Sequence, residues 1–196
     1  METAILVRHG ESEASVRGLV SGEPTTACPL TEVGRRQARE LGRLLAEEEI
    51  DVCLTSEFPR TIETADLALE GRGTPRVVVP ELNDPRAGDF EGGEFLKYRE
   101  WARTADSGAR PRGGESRREL VTRYVRGYRT ALERPERAVL VVGHSLPTSY
   151  VLEALEGRDP TRIIPLIPYA QPNRLTAEEL DHAVRRLEAW SGAPTW

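Results

Sequence analysis

The chain has 196 residues, of which 38% are hydrophobic and 30% are charged, and its formal net charge is −5. This composition is typical of one globular domain with a substantial core, and the acidic balance argues against nucleic acid as a partner. No apolar run approaches the ~20 residues of a membrane-spanning helix, so no membrane partner is expected. The first residues lack a charged-then-apolar leader, and Cys28 and Cys53 do not make a disulfide framework, so we expect a cytoplasmic protein.

Short apolar runs and helical patterns alternate along the chain. Apolar runs of the kind found in buried parallel strands cover residues 4–7, 52–54, 77–79 and 138–142. Helix starts are indicated by the N-cap residue Thr31 and by two capping boxes, Ser116 with Glu119 and Thr176 with Glu179. This order predicts a three-layer α/β/α fold, with a mostly parallel sheet flanked by helices, in a single domain over residues 1–196.

Residues 80–115 differ from the rest of the chain in composition. The segment is rich in glycine and carries an aromatic patch formed by Phe90, Phe95, Tyr98 and Trp101. We expect a lid insertion with one short helix near residues 94–103, because long insertions in compact domains are often functional loops. A surface excursion with its own small apolar cluster is the alternative.

Two of the predicted strands end in a histidine. Arg8 and His9 follow the first apolar run, and His144 follows the last run after Gly143. If these strands are neighbours in a parallel sheet, their imidazoles lie roughly 5 Å apart at the edge where open α/β sheets bind ligands. Arg60 follows a third run and lies near a predicted helix start, which is a favourable location for an anion.

Two arginines and two histidines at one sheet edge are suited to phosphoryl transfer, which depends on positioning and electrostatic stabilisation. Arg8 and Arg60 can hold phosphate oxygens in planar, bidentate geometry. One histidine can attack phosphorus, and the other, if protonated, adds a cation. A leaving alkoxide needs a proton, so an aspartate or glutamate from the lid is expected as general acid.

Six segments in this order carry a family pattern. They are RHGESE at residues 8–13, PLTEVGRRQA at 29–38, the stretch 55–65 around Arg60, GDFEG at 88–92, PRGGES at 111–116 and VVGHS at 141–145. In these segments the chain resembles the histidine phosphatase superfamily, the phosphoglycerate mutase-like group named for its RHG motif. The resemblance implies that His9 becomes phosphorylated and that neither a metal nor a cofactor is required. It also implies that Arg8, Arg60 and His144 bind the phosphoryl group.

The chain departs from the family pattern at three places. Ser15 replaces the asparagine that many relatives carry, and Asp84 stands where the pattern has a glutamate as general acid, with Glu81 as its competitor. The second histidine lies in GHS rather than in SHG or AHG. Beyond about residue 155 the resemblance fades, and a C-terminal helix ending near Trp190 is expected in place of the family's final strand.

The sequence thus predicts a histidine phosphatase that hydrolyses a small-molecule phosphomonoester in two steps. His9 is the expected nucleophile, protonated His144 a phosphate ligand, and Asp84 the general acid and then the general base. Weaker phosphate contacts are expected from the polar groups of Gly10, Ser15, Ser21, Gly22 and Ser145. No signal in the sequence points to a particular substrate or oligomeric state.

Three alternatives stay open at this point. The same motifs occur in phosphoglycerate mutase-type phosphotransferases, although the short lid favours water as the acceptor. The changes at residues 15 and 84 are compatible with a protein of this fold that binds a phosphoryl ligand without turnover. Residues 143–147 imitate the nucleophile elbow of α/β-hydrolases, which would make Ser145 an esterase nucleophile assisted by Asp159 and His182.

Overall fold

Five strands form one mixed sheet in the computed structural model, which describes residues 1–196. The strands are β1 (Thr3–Arg8), β2 (Val52–Thr55), β3 (Arg76–Val78), β4 (Ala138–Gly143) and β5 (Pro172–Thr176). Their order across the sheet is β3-β2-β4-β1-β5. The first four strands are parallel and β5 is antiparallel to β1, so the predicted, mostly parallel sheet is confirmed.

Seven α-helices accompany the sheet. They are α1 (Glu13–Val16), α2 (Glu32–Leu44), α3 (Pro59–Ala68), α4 (Phe95–Thr104), α5 (Arg117–Leu132), α6 (Ser145–Leu155) and α7 (Ala177–Gly192). The predicted helix starts are confirmed, because Thr31 Oγ1 accepts a hydrogen bond from the Gly34 amide at 3.0 Å and both predicted capping boxes form. None of the helices is both long and apolar enough to span a bilayer.

The sheet separates two apolar clusters. Ala4 and Leu6 belong to a cluster of 24 buried residues that includes side chains of α5, α6 and α7. Ile5 and Val7 belong to a cluster of 12 that includes side chains of α2 and α3. Because successive side chains of a strand point to opposite faces, β1 is buried on both faces, as its continuous apolar run predicts. The predicted three-layer α/β/α architecture is confirmed.

The central position of β4 places the site. This strand follows β1 and β2 in the sequence but lies between them in the sheet. The register pairs Arg8 with Gly143 and Thr55 with Val142. The carboxyl ends of three parallel strands therefore meet at one edge, and the residues that follow each strand lie side by side.

Two expectations about strands are wrong. Residues 77–79 were expected to be buried on both faces, but β3 is an edge strand with Val78 43% exposed. The sequence pattern also gave no strand after residue 155. The chain forms β5 against β1, and α7 follows β5 instead of replacing the final strand. Only Leu175 of β5 is buried, so this strand carries no apolar run.

Residues 80–115 form a segment with little regular structure beside the carboxyl edge of the sheet. It contains two turns of 3₁₀ helix, Pro80–Leu82 and Gly88–Phe90, and then α4, which confirms the predicted short helix. The rings of Phe90, Tyr98 and Trp101 pack together with centroids 5.6 to 5.8 Å apart. The segment thus has a small aromatic core of its own and contributes one wall of the pocket described next.

Candidate active site

The histidines that follow β1 and β4 meet at the carboxyl edge of the sheet. The His9 amide donates a hydrogen bond to the carbonyl oxygen of Gly143 at 2.9 Å, which continues the ladder between the two strands. The ring centroids of His9 and His144 are 5.3 Å apart, with an interplanar angle of 71°. The predicted meeting of the two imidazoles at one edge is confirmed.

The His9 ring is held in one tautomer. Its Nδ1 atom lies 2.6 Å from the carbonyl oxygen of Gly10, and because a carbonyl oxygen only accepts, Nδ1 carries the hydrogen. Nε2 therefore keeps its lone pair, and Arg60 Nε donates to it at 3.2 Å. Burial, reinforced by the charges of Arg60 and Arg8, lowers the pKa of His9 well below its usual value. The lowered pKa favours the neutral ring, and His9 lines the pocket described below.

Arg60 connects the parts of the site. It is the second residue of α3, so the predicted location at a helix start is confirmed. Its Nη1 donates to Ser21 Oγ at 3.2 Å, and its Nη2 donates to the Ser21 carbonyl oxygen and to Asp84 Oδ2, both at 3.0 Å. The guanidinium lies 4.2 Å from the centre of the Phe58 ring. The side chain is thereby fixed between His9 and Asp84 of the segment 80–115.

Arg8 supplies a second cation to the same pocket. Its Nη1 donates to the carbonyl oxygen of Ile167 at 2.6 Å, and its guanidinium lies 3.7 Å above the centre of the Tyr169 ring. Arg8 Nε is buried and has no hydrogen-bond partner within the protein. A buried donor of this kind is costly unless a ligand accepts from it, which fits an oxyanion in the pocket.

His144 is buried between the sheet and Asp84. Its Nε2 lies 2.9 Å from Ser56 Oγ, and its Nδ1 lies 3.5 Å from Asp84 Oδ2. Burial, and after it the charge of Arg60, lowers the pKa of His144 well below its usual value. This lowered pKa favours a neutral His144 ring, whereas the sequence analysis expected a protonated one. Burial disfavours the charged form of the ring, and the positive charge of Arg60 disfavours it further.

Asp84 brings a carboxyl group against this basic cluster. Burial raises the pKa of Asp84, and the neighbouring Arg60 opposes that rise without cancelling it. The side chain is still 28% exposed at the mouth of the pocket. Glu81, the competing carboxylate of the sequence analysis, does not line the pocket.

The pocket encloses about 210 Å³ and combines a polar end with apolar walls. Arg8, His9, Arg60 and Asp84 line the polar end.

The part of the chain that matches the model of the histidine phosphatase superfamily (branch 1) runs over residues 4–191. The chain belongs to this superfamily. The match extends far beyond residue 155, so the expectation that the resemblance fades there is wrong.

Individual relatives include phosphatases and mutases. The chain is 51% identical to the adenosylcobalamin/alpha-ribazole phosphatase of Salmonella typhimurium over 86 residues, which are 44% of this chain and only 42% of that protein. It is 31% identical to 2,3-bisphosphoglycerate-dependent phosphoglycerate mutase 2 of Gloeobacter violaceus, over 83% of this chain and 80% of that one. The solved alpha-ribazole phosphatase of Shigella flexneri superimposes with a TM-score of 0.71 at 30% identity, covering 92% and 84% of the two chains.

The weaker predicted contacts of this superfamily member are partly engaged within the protein. Ser15 Oγ donates to the Ser12 carbonyl oxygen at 2.7 Å and so closes the first turn of α1. The Gly22 amide donates to Glu91 Oε2 at 2.8 Å. Ser145 Oγ accepts from the Ile167 amide at 3.1 Å. All three predicted residues line the pocket, but these polar atoms already have protein partners.

The alternative triad around Ser145 is not assembled. Asp159 pairs with Arg186 at 2.9 Å, and His182 is exposed on α7. Among the histidines, aspartates, glutamates and cysteines, no group of three or more is placed to hold a metal ion.

The sequence analysis missed three residues that support the site. Ser56 follows β2 and contacts His144. Its position directly after a predicted strand could have marked it as a site residue, but the sequence analysis took only Arg60 from this region. Tyr169 stacks on Arg8, from a loop without a recognisable pattern. Arg123, on α5, donates to the carbonyl oxygens of Glu81 and Asn83 at 2.8 Å and of Asp84 at 3.3 Å. No local feature marks Arg123, because its role depends on tertiary packing.

Proposed function

We propose that this protein is a phosphomonoester hydrolase that works through a phosphohistidine at His9. The observation that carries the proposal is the neutral His9 ring, with Nδ1 held by the Gly10 carbonyl oxygen and Nε2 facing a pocket lined by Arg8 and Arg60. A nucleophile needs an unprotonated lone pair, and the phosphoryl group needs cations around it. His9 Nε2 carries no hydrogen, and Arg60, which donates to it at 3.2 Å, is one of the cations.

In the first step, His9 Nε2 attacks phosphorus and the bond from phosphorus to the leaving oxygen breaks. Arg8 and Arg60 hold the equatorial oxygens, and neutral His144 donates an N–H to them. Asp84 gives its proton to the leaving oxygen. Burial favours the protonated form of Asp84. A bound phosphoryl group partly neutralises Arg60, which otherwise stabilises the Asp84 carboxylate, and so favours the protonated form further.

In the second step, Asp84 takes a proton from water while the water oxygen attacks phosphorus. The bond between phosphorus and His9 Nε2 breaks, and phosphate leaves. The Asp84 carboxyl is 28% exposed, so water can reach the group that has to activate it. This access favours hydrolysis over transfer to a second substrate molecule, as in a mutase.

The relatives suggest the class of substrate. Names such as alpha-ribazole phosphatase and phosphoglycerate mutase point to small-molecule phosphate esters, and we propose an ester of this size for the 210 Å³ pocket. A panel of phosphomonoesters that contains alpha-ribazole phosphate and 3-phosphoglycerate, compared by kcat/KM, ranks the candidates. Isomerisation of phosphoglycerate faster than phosphate release would identify a mutase instead.

The test of the mechanism is capture of the phosphoenzyme. The protein is mixed with 4-nitrophenyl phosphate and quenched, and the phosphopeptide is located by mass spectrometry under conditions that preserve phosphohistidine. We expect phosphate on His9, and we expect His9→Ala to lose both label and turnover. His182→Ala is the matched control, because His182 is exposed on α7 and should retain both. If the wild type shows neither turnover nor label, the protein binds a phosphoryl ligand without catalysis and the proposal fails.

A further inference from the structure

Five arginines line the pocket, and they differ in what neutralises them. They are Arg8, Arg60, Arg99, Arg117 and Arg162. Arg8 and Arg60 contact the phosphoryl end, where Arg60 pairs with Asp84. Arg162 pairs with Asp106 at 3.7 Å and lies over the Trp196 ring. Arg99 and Arg117 line the same pocket without a carboxylate at salt-bridge distance.

Of Arg99 and Arg117, Arg117 is the one whose position is less well explained by contacts within the protein. Arg99 lies 5.9 Å from the centre of the Phe95 ring, on a half-buried face of α4. Arg117 makes one side-chain hydrogen bond, from Nη1 to Tyr150 Oη at 2.9 Å. A guanidinium has five N–H donors, so most of the donors of Arg117 are not used within the protein.

The neighbours of Arg117 do not balance its charge. Tyr150 accepts its hydrogen bond, and the Tyr150 ring centre lies 5.9 Å from the guanidinium. Burial raises the pKa of Tyr150, Tyr98 and Tyr124, which favours the neutral form of each phenol. Arg123 of the same helix is different, because it pairs with Glu115 at 2.5 Å. Arg117 is thus a half-buried cation among neutral aromatic rings.

Helix geometry also favours an anion near Arg117. Arg117 is the first residue of α5, directly after the N-cap Ser116. The N-terminus of a helix carries a partial positive charge, which favours an anion and disfavours a cation. At this point the helix and the guanidinium both attract negative charge, and apolar side chains such as Phe95, Leu146 and Ile164 in the pocket walls reduce screening by water.

We propose that Arg117 binds a second anionic group on the leaving part of the substrate, so that the preferred substrates are phosphomonoesters that also carry a carboxylate or a comparable anion. The inference rests on the proposed function, because it concerns the leaving group of the same hydrolysis. Arg117 is a specificity-determining residue in this scheme and takes no part in the chemical step.

The test compares two esters of equal shape and different charge, 3-carboxyphenyl phosphate and 3-carbamoylphenyl phosphate. We expect the wild type to prefer the carboxylate by about tenfold or more in kcat/KM, the effect of a charge-assisted hydrogen bond. Arg117→Met should remove this preference through KM and leave the carbamoyl ester within about twofold of the wild type. Arg117→Lys should retain part of it. Arg126→Met, at an exposed position of the same helix, is the matched control.

The outcomes separate the two proposals. Equal kcat/KM for the two esters in the wild type, or a parallel loss for both in Arg117→Met, overturns the role of Arg117 while hydrolysis and the phosphohistidine stand. Absence of hydrolysis and of label at His9 overturns the proposed function, and the inference fails with it. If Arg117→Met does not fold, the wild-type preference and the Lys variant still decide the question.

Discussion

Replacing Asp84 by asparagine separates proton donation from the contact with Arg60. Asparagine has the same shape and can still accept the hydrogen bond that Arg60 Nη2 donates at 3.0 Å, but it cannot give a proton. A positioned general acid contributes ~10²–10⁴-fold, or about 3–5 kcal/mol of the barrier. We expect kcat/KM for an alkyl phosphate to fall by about this factor in Asp84→Asn. For 4-nitrophenyl phosphate, whose leaving group needs little protonation, we expect a fall of less than about tenfold.

Steady-state kcat/KM is the appropriate readout, because it reports the steps up to formation of the phosphohistidine and leaves out the later attack of water. Its pH profile gives a second readout. Because the pKa of Asp84 is raised, the protonated donor is present below that pKa, and alkyl phosphate hydrolysis should decline as the pH rises through it. Asp84→Asn should lack this alkaline limb.

Glu81→Gln is the matched control, since Glu81 belongs to the same segment and does not line the pocket. It should leave the ratio between the alkyl and the aryl ester unchanged. Equal losses on both esters in Asp84→Asn would refute the assignment of Asp84 as general acid. A selective loss on the alkyl ester in Glu81→Gln would transfer that role to Glu81.

Two further predictions concern the loop beside Arg60 and the buried histidines. Gly22→Ala would place a Cβ 2.3 Å from the Pro85 carbonyl oxygen. We expect unfolding in urea to become easier by about 1–3 kcal/mol and kcat/KM to fall by about 10²-fold, because Ser21 orients Arg60. Gly108→Ala, whose Cβ meets nothing within 4 Å, is the control, and equal effects would contradict the reasoning. The pKa values of His9 and His144 lie well below the unfolded value, so the unfolded chain binds protons first as the pH falls. The free energy of unfolding should therefore decrease as the pH falls below about 6.5. His144→Gln should make this decrease with pH less steep. An unchanged pH dependence would count against neutral, buried histidines.

The sequence was sufficient for the central strands and for the residues that follow them. The runs at residues 4–7 and 138–142 are apolar at every position because both faces of β1 and β4 are covered by helices. His9 and His144 each stand two residues after such a run, at the sheet edge, which is why the sequence predicts that they lie together. Helix starts were equally readable, since the capping residues act on amides three residues away.

Elements that depend on distant partners could not be predicted. Strand β5 exists because the backbone of β1 has a free edge, and its own residues are mostly polar. The lowered pKa of His144 has no signal in the sequence, because it depends on burial and on Arg60, 84 positions away in the chain. The support of Asp84 by Arg123 spans 39 positions and leaves no local pattern.

The central place of β4 has a consequence for how the chain acquires its fold during synthesis. β1 and β2 pair with β4 and not with each other, so until residue 143 has emerged from the ribosome these two apolar strands have no partner on their inner edges. Unpaired apolar edges are sites of aggregation, and pairings at long sequence separation form slowly. The insertion of β4 therefore joins β1 to β2 and brings the groups of the candidate site together in the same event. A nascent chain that stops before β4 has neither the joined strands nor the assembled site.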